Sequence, residues 1–321
     1  MLNAFILHDG RLEQTPVEVY TDLEDLSDKT LWIDMVDPSD EERSWVETAY
    51  HLELPEEGEI TDIEASARFY EDEDGIHLHS FFLHAFEEQV HNITVAFAVH
   101  RGRLFTMHAE DLAAFRLFRL RARRNPGFAK DPMDIVLGLY ETAVEHVADE
   151  LEQVYSSLEK VSQSVLTETI ADTNMEETLA HLAAQEDLNG KARLSLMDTR
   201  RALSFLLRRG RLLDAERTED VREILRDIES LTSHTSFLFD KVNFLMDAAM
   251  GFINITQNKI IKIFSIAAVV FLPPTLVASI YGMNFQFLPE LQWEFGYPLA
   301  LTLMVLSGVA PYWYFKRQGW L

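Results

Sequence analysis

The sequence predicts an α+β/α protein: an N-terminal α/β domain, a long helical stalk and two C-terminal transmembrane helices. Three observations predict it. Ile263 to Tyr281 and Tyr297 to Phe315 are uncharged runs of nineteen residues, each long enough to cross a bilayer as a helix. No proline occurs between Pro132 and Pro273, and apolar residues keep helical spacing through most of that stretch. Ahead of it lie short β-type runs separated by turn residues. The expected organisation is a cytosolic α/β domain over 1–130, long antiparallel helices over 131–212, and a stalk helix over 213–262. A first transmembrane helix over 263–281, a loop over 282–296, a second transmembrane helix over 297–315 and a basic tail over 316–321 complete it.

Orientation follows from the charges. Lys259 and Lys262 precede the first span, and Lys316 and Arg317 follow the second. The loop between the spans has no Lys or Arg and carries Glu290 and Glu294. The positive-inside rule then places both termini in the cytoplasm and the loop outside. Tyr281, Trp293, Tyr297, Trp313 and Trp320 sit near the span ends, as an aromatic belt does. The first twelve residues lack a cationic stretch followed by an apolar run, so no cleavable signal peptide is expected.

The formal charge is −25, and the residues before Lys259 hold 24 basic and 51 acidic side chains, a net of −27. Such a body disfavours nucleic acid as a partner, since phosphate needs the opposite sign. It suits cation binding or plain solubility. The chain has no cysteine, which excludes disulfide and thiolate chemistry.

The first span carries a seam. At seven-residue intervals Asn258, Ser265, Leu272 and Ser279 form one row, with Ile261, Ala268, Thr275 and Gly282 beside it. Small residues of this kind allow helices to pack closely. They also suit a pore wall, but one helix encloses no water, so a pore demands an oligomer about a central axis. Pro273 and Pro274 imply a kink with freed carbonyls inside the span.

In the soluble part, strands are expected at Ala4–His8, Leu31–Val36, Ile76–His84, Thr94–His100 and Leu104–His108. Ser39 to Glu42 has capping-box form and starts a helix reaching about His51. Another helix follows Glu110 and stops before Asn125-Pro126-Gly127. Helices then cover Ile135 to Leu166 and Met175 to Arg209. One very long helix begins near Asp214 and continues into the first span. His77 and His79 share a strand face and, with His84 or His91, form a weak metal motif; ordinary strand histidines are the better reading. Arg116, Arg119, Arg121, Arg123 and Arg124 read as a solvated or salt-bridging helix. Glu71 to Asp74 before Gly75 reads as a solvated hairpin tip and lacks calcium-loop spacing. No phosphate loop, nucleophile elbow or H-E-x-x-H motif is present, so no enzyme is expected.

Tyr281-Gly282-Met283-Asn284 directly follows the first of the two spans. Leu288-Pro289-Glu290-Leu291, Trp293, Phe295-Gly296-Tyr297-Pro298 and the closing Tyr314-Phe315-Lys316-Arg317-Gln318-Gly319-Trp320-Leu321 follow. With Asp62-Ile63-Glu64-Ala65-Ser66-Ala67-Arg68-Phe69, Met197-Asp198-Thr199 and Ile224-Leu225-Arg226-Asp227-Ile228-Glu229, the whole chain resembles the CorA family of magnesium channels. That resemblance implies a homopentameric funnel in the bacterial inner membrane that passes Mg²⁺, with Co²⁺ and Ni²⁺ as further cargo. It implies a selectivity filter at Gly282, Met283 and Asn284. It implies a pore lined by Asn258, Ile261, Ser265, Ala268, Leu272, Thr275 and Ser279, with acidic Glu290 and Glu294 at the outer mouth. Regulatory magnesium is expected at Asp62 and Glu223, so that Mg²⁺ is both transported ion and regulatory ligand.

Overall fold

The computed structural model describes the chain except residues 27, 56–67, 74, 87–88, 167–174, 210–212, 285–288 and 321, and gives no side chains for 86, 89, 164–166 and 290–291. The described residues form two compact units, Met1–Leu245 and Met246–Leu321.

The first unit is built on a seven-stranded sheet: β1 (Leu2–His8), β2 (Arg11–Val17), β3 (Thr30–Val36), β4 (Phe69–Glu71), β5 (Ile76–Phe86), β6 (Gln89–His100) and β7 (Arg103–His108), in the order β2-β1-β3-β7-β6-β5-β4. Only the β3–β7 pairing is parallel. Its helices are α1 (Tyr20–Leu26), α2 (Asp40–Tyr50), α3 (Ala113–Arg124), α4 (Pro132–Leu166), α5 (Met175–Arg208) and the first half of α6 (Ala215–Tyr281).

Strand alternation sorts two cores. Ile33, Met35, Ala96, Ala98, Phe105 and Met107 meet Leu23 of α1 and Val46 and Tyr50 of α2 on one face. Phe5, Trp32, Phe82 and Phe97 meet Phe115 and Phe118 of α3 and Tyr140 of α4 on the other. On that second face Asp34 is fully buried. It accepts hydrogen bonds from Thr106 at 2.6 Å and Arg119 at 2.9 Å, and lies 2.9 Å from His108 Nε2. Gly138 interrupts α4 where a Cβ would stand 2.4 Å from the Phe118 ring, so close packing of α3 offsets the cost of a mid-helix glycine.

The expected strands and helices of the first unit are present, with the strand expected at Thr94–His100 beginning five residues earlier, at Gln89. Ser39 accepts from the Glu42 amide while Glu42 accepts from the Ser39 amide, completing the capping box, and His51 ends α2 in the left-handed region. Three elements lie outside the sequence reading. β2 is a polar edge strand containing Pro16 that buries only Leu12 and Val17. β4 has three residues, and α1 buries only Leu23. Such elements carry too few apolar residues to show a period. The acidic turn before Gly75 joins β4 to β5. Asp72 closes it through its amide to Gly75 O and its carboxylate to the Gly75 amide, both at 3.0 Å. Gly75 has φ +141°, and a Cβ there would lie 2.1 Å from Val99 O.

β4 is so short that it pairs only with Ile76–Leu78. Beyond it side chains satisfy the edge of β5, a form of edge protection. Arg68 Nε donates to His79 O at 3.1 Å, Asp198 accepts from the Phe81 amide at 2.8 Å, and Ser195 donates to Phe81 O at 2.8 Å. Arg68 and Asp198 also form an ion pair at 2.9 Å with both side chains at most 3% exposed. Asp198→Ala leaves Arg68 charged and unpaired in the core and strips the Phe81 amide of its acceptor. The expected loss is about 3–5 kcal/mol, read as a drop in the thermal unfolding midpoint in detergent. Arg68→Met with Asp198→Leu recovers part of it.

Candidate functional site

The second unit is an antiparallel helical hairpin. The later part of α6 and α7 (Gly296–Arg317) are joined by a segment containing a 3₁₀ turn at Pro289–Gln292. Both helices hold windows long and apolar enough to cross a membrane, with mean hydropathy 2.2 and 1.3. Residue Gly251 lies inside α6 and does not break it.

Helical geometry settles which face each side chain occupies. On α6, Ile266 is 6% exposed, and Val270, Pro273, Pro274, Val277 and Tyr281 are half-buried. On α7, Gly296 and Ala300 are buried, and Met304, Ser307, Gly308, Pro311 and Phe315 are half-buried. These two stripes form the contact, and α7 supplies mainly small residues to it. Pro273 and Pro274 carry no N–H, so Val269 and Val270 lose their usual i+4 donors. Gly308 sits against the second gap: a Cβ there would stand 3.3 Å from Pro274 Cγ and 3.5 Å from Val270 O.

The seam lies on the other side. At 3.6 residues per turn, Asn258, Ile261, Ser265, Ala268, Leu272, Thr275, Ser279 and Gly282 centre almost opposite the stripe that packs on α7. All eight are exposed in the single chain, Ile261 at 62% and Leu272 at 65%. Thr275 donates its hydroxyl to Phe271 O at 2.7 Å, which directs its oxygen lone pairs outward.

Gly282, Met283 and Asn284 end α6. The Gly282 amide donates to Ala278 O at 2.9 Å and the Met283 amide to Ile280 O at 3.3 Å. All three residues are exposed. A Cβ at Gly282 would lie 3.1 Å from Ala278 O, a tight contact. The last carbonyls of a helix and its macrodipole make this terminus electronegative. Glu294 is exposed in the same connecting segment, and the Glu290 backbone lies in the 3₁₀ turn. At the opposite end of the hairpin Lys262 stands over the Trp320 ring at 5.6 Å and Arg317 over Trp313 at 5.5 Å.

The two expected regulatory residues fare differently. Asp62 lies outside the described residues. Glu223 lines a cleft of about 300 Å³ between α4 and α6 together with Asp134, Glu141, Asp220 and Asp227. Burial, reinforced by Glu145, raises the Glu141 pKa above the ordinary range. Burial, then Glu216 and Glu223, raises that of Asp220. Asp214 caps α6 by accepting from the Arg217 amide at 2.9 Å, and Arg217 pairs with Asp131 and, at 2.9 Å, with Asp134. Among the described residues no three carboxylates or histidines converge into a chelating group. The sequence reading missed the cleft because its carboxylates come from helices about ninety residues apart.

The strand histidines are structural. His77 lies 3.2 Å from Asp72 and stacks on Tyr70, and His84 lies 2.9 Å from Glu110. His79 is buried, and burial, with His77 and Arg68, pushes its pKa down to about 4. Arg116 and Arg119 pair with Asp111, and Arg121 with Glu145, as a salt-bridging helix does.

Fold and site together define a membrane protein with a mixed α/β body and a C-terminal two-helix hairpin. The chain belongs to the family of CorA-like Mg²⁺ transporter proteins, whose sequence model matches residues 27–317. It is 52% identical over 322 residues to the magnesium transport protein CorA of Escherichia coli strain K12, with both chains covered in full. It is 53% identical, again with full coverage, to that of Salmonella typhimurium strain LT2. The fold matches the complete CorA magnesium transporter structure from Methanocaldococcus jannaschii with TM-score 0.75, 22% identity and coverage of 100% and 99%. It also matches the full-length CmaX protein with TM-score 0.70, 17% identity and coverage of 98% and 96%.

The hairpin contact generates a prediction. Gly308→Ala is tolerated with a small adjustment. Gly308→Leu overpacks the contact at Pro274, with an expected cost of about 1–3 kcal/mol. A lowered melting midpoint and loss of the assembled species in detergent size-exclusion chromatography report it.

Proposed function

We propose that this chain is one subunit of a homopentameric channel that carries hydrated Mg²⁺ inward across the bacterial inner membrane. It works as a transporter and not as an enzyme. Both termini lie in the cytoplasm. The observation that carries this reading is the placement of the seam: the polar and small face of α6 is turned away from α7 and ends at Gly282-Met283-Asn284. Five such faces around an axis would enclose water. The family and the full-length relatives named as magnesium transport proteins support the choice of ion.

In this reading, Asn284 side chains and helix-terminal carbonyls hydrogen-bond the waters around the ion. Mg²⁺ gives up its hydration shell reluctantly, so a filter that holds the hydrated ion avoids that cost. The acidic residues Glu290 and Glu294 raise the local cation concentration at the mouth. Asn258, Ser265, Ala268, Thr275 and Ser279 line the path, and Ile261 and Leu272 form constrictions that close by dewetting. An inside-negative potential supplies about 4.6 kcal/mol per 100 mV for a divalent ion, so no ATP hydrolysis is needed. Co²⁺ and Ni²⁺ pass by the same route.

Intracellular Mg²⁺ closes the channel by bridging acidic faces of neighbouring subunits at Glu223 and Asp62. The like-charge crowding of the cleft supports Glu223. Mg²⁺ keeps most of its waters and takes only one or two carboxylates, so it requires no three-ligand cage within one subunit. Loss of Mg²⁺ leaves the carboxylates repelling and favours the open state.

Three outcomes test this. Asn284→Ala abolishes Mg²⁺ flux into liposomes while leaving the oligomer intact; undiminished uptake would sink the filter assignment. The same assay run with Mg²⁺, Co²⁺, Ni²⁺ and Zn²⁺ defines the cargo. Asp62→Ala with Glu223→Ala relieves inhibition by Mg²⁺ on the cytosolic side, and unchanged inhibition rules these residues out as the sensor.

The pH response has a definite sign. Glu141 and Asp220 have raised pKa values, so they protonate at higher pH than ordinary carboxylates. Their mutual repulsion in the folded state is present above those values and relieved as pH falls through them. Protons thereby compete with the cation. The Mg²⁺ concentration giving half-closure rises as cytosolic pH is lowered, measured by flux; a fall would contradict the assignment.

A further inference from the structure

Several arginines in the first unit face carboxylates. Arg68 meets Asp198, Arg121 meets Glu145, Arg217 meets Asp131 and Asp134, and Arg222 and Arg226 meet Glu219. Acidic side chains outnumber basic ones 53 to 28 in this chain, so such pairing is the expected fate of a guanidinium. On α5, three arginines without an ion pair among the described residues lie together on one stretch of helix.

Met197, Arg200, Arg201, Ser204, Phe205 and Arg208 recur at spacings of three and four and so share one face of α5. With Arg209 and Phe69 they line an open groove of about 880 Å³. Arg200, Arg201 and Arg208 are exposed and make no ion pair with any described residue. Arg209 is held by Glu71 at 3.1 Å and lies over the Phe205 ring at 5.4 Å. Among the described residues the groove therefore sets four guanidinium groups against one ion-paired carboxylate, that of Glu71. Its floor is apolar, because Phe69 and Phe205 are each 7% exposed. The buried Arg68–Asp198 pair near Phe69 is neutral overall, and Arg201 acts on both of its members.

Like charges repeated along one helix face repel. Arg200 and Arg208 make no ion pair among the described residues, so an anion in the groove would relieve that repulsion. Guanidinium forks match phosphate oxygens in bidentate geometry. From Arg200 to Arg208 the helix rises about 12 Å, too far for one orthophosphate to engage every fork. A chain of linked phosphates spans it, and the groove volume suits a small-molecule ligand.

We propose that this α5 groove binds an oligophosphate anion, the chemistry shared by inorganic tripolyphosphate and the triphosphate tail of a nucleotide. The arginines hold the phosphate chain, with Arg209 oriented for it by Glu71 and Phe205. Oligophosphates are also hard oxygen ligands for Mg²⁺, so the site would place a magnesium-binding anion on the same unit as the acidic cleft. The binding assignment itself does not depend on the transport reading.

Isothermal titration of the full-length chain in detergent, with EDTA present so that metal chelation adds no heat, tests the proposal. Sodium tripolyphosphate, ATP and orthophosphate are titrated separately. Tripolyphosphate is expected to bind one per chain, with orthophosphate at least ten-fold weaker. ATP binding tighter than tripolyphosphate identifies a nucleotide as the source, and the reverse identifies an inorganic chain. Arg200→Gln with Arg208→Gln lowers affinity at least ten-fold with an unchanged melting midpoint, while Arg200→Lys with Arg208→Lys falls between. The proposal is overturned by no binding of any probe up to millimolar concentration, or by equal affinity in the Gln double variant. Either result would mean that carboxylates of this chain or of a second copy already fill the groove, or that another basic surface takes the anion.

Discussion

A helix that leaves water for hydrocarbon must satisfy its backbone from within, and α6 does this over sixty-seven residues with one interruption. At Pro273 and Pro274 two carbonyls lose their helical donors. The structure brings α7 to that place through Gly308, where a Cβ would stand only 3.3 Å from Pro274 Cγ and a large side chain would not fit. The proline pair thus selects the face of α6 that the second span covers. Once that face is taken, the remaining one is the seam of small and polar residues. A polar face in a membrane helix needs other protein or water beside it.

Charge is organised by a related economy in the first unit. Carboxylates gather where α4 and the start of α6 run together, and their crowding shows in the raised pKa values of Glu141 and Asp220. Positive charge gathers on the exposed face of α5. Arg68 and Asp198, buried beside that face, bind α5 to the exposed edge of β5 and cancel each other. One surface thus concentrates negative charge and the other positive.

The long features were legible because each repeats a physical signal many times. The nineteen-residue apolar runs, the capping box at Ser39 and the proline-free stretch between Pro132 and Pro273 all appear as the elements they suggest. β2, β4 and α1 were not legible, because each buries one or two side chains and takes its stability from neighbours. The acidic cleft was only half legible. Glu223 could be singled out, but Asp134 and Glu141 join it from a helix far away in the chain. The arginines of α5 were present in the sequence as an unremarked helical stripe. Their meaning depends on which of them find carboxylates, and that is a property of packing.

The sequence by itself determined that the chain ends in a membrane hairpin, which face of the first span is polar, and that Gly282-Met283-Asn284 follows it. Those are consequences of local composition and of the 3.6-residue helical period, which need no partner to be read. Only the tertiary structure decided that α7 covers the face opposite the seam, that a glycine stands against the proline pair, and that carboxylates of α4 and α6 meet in one cleft while arginines of α5 line a separate groove. Each of these rests on contacts between residues distant in the chain, and no local period encodes which distant surface a helix will meet.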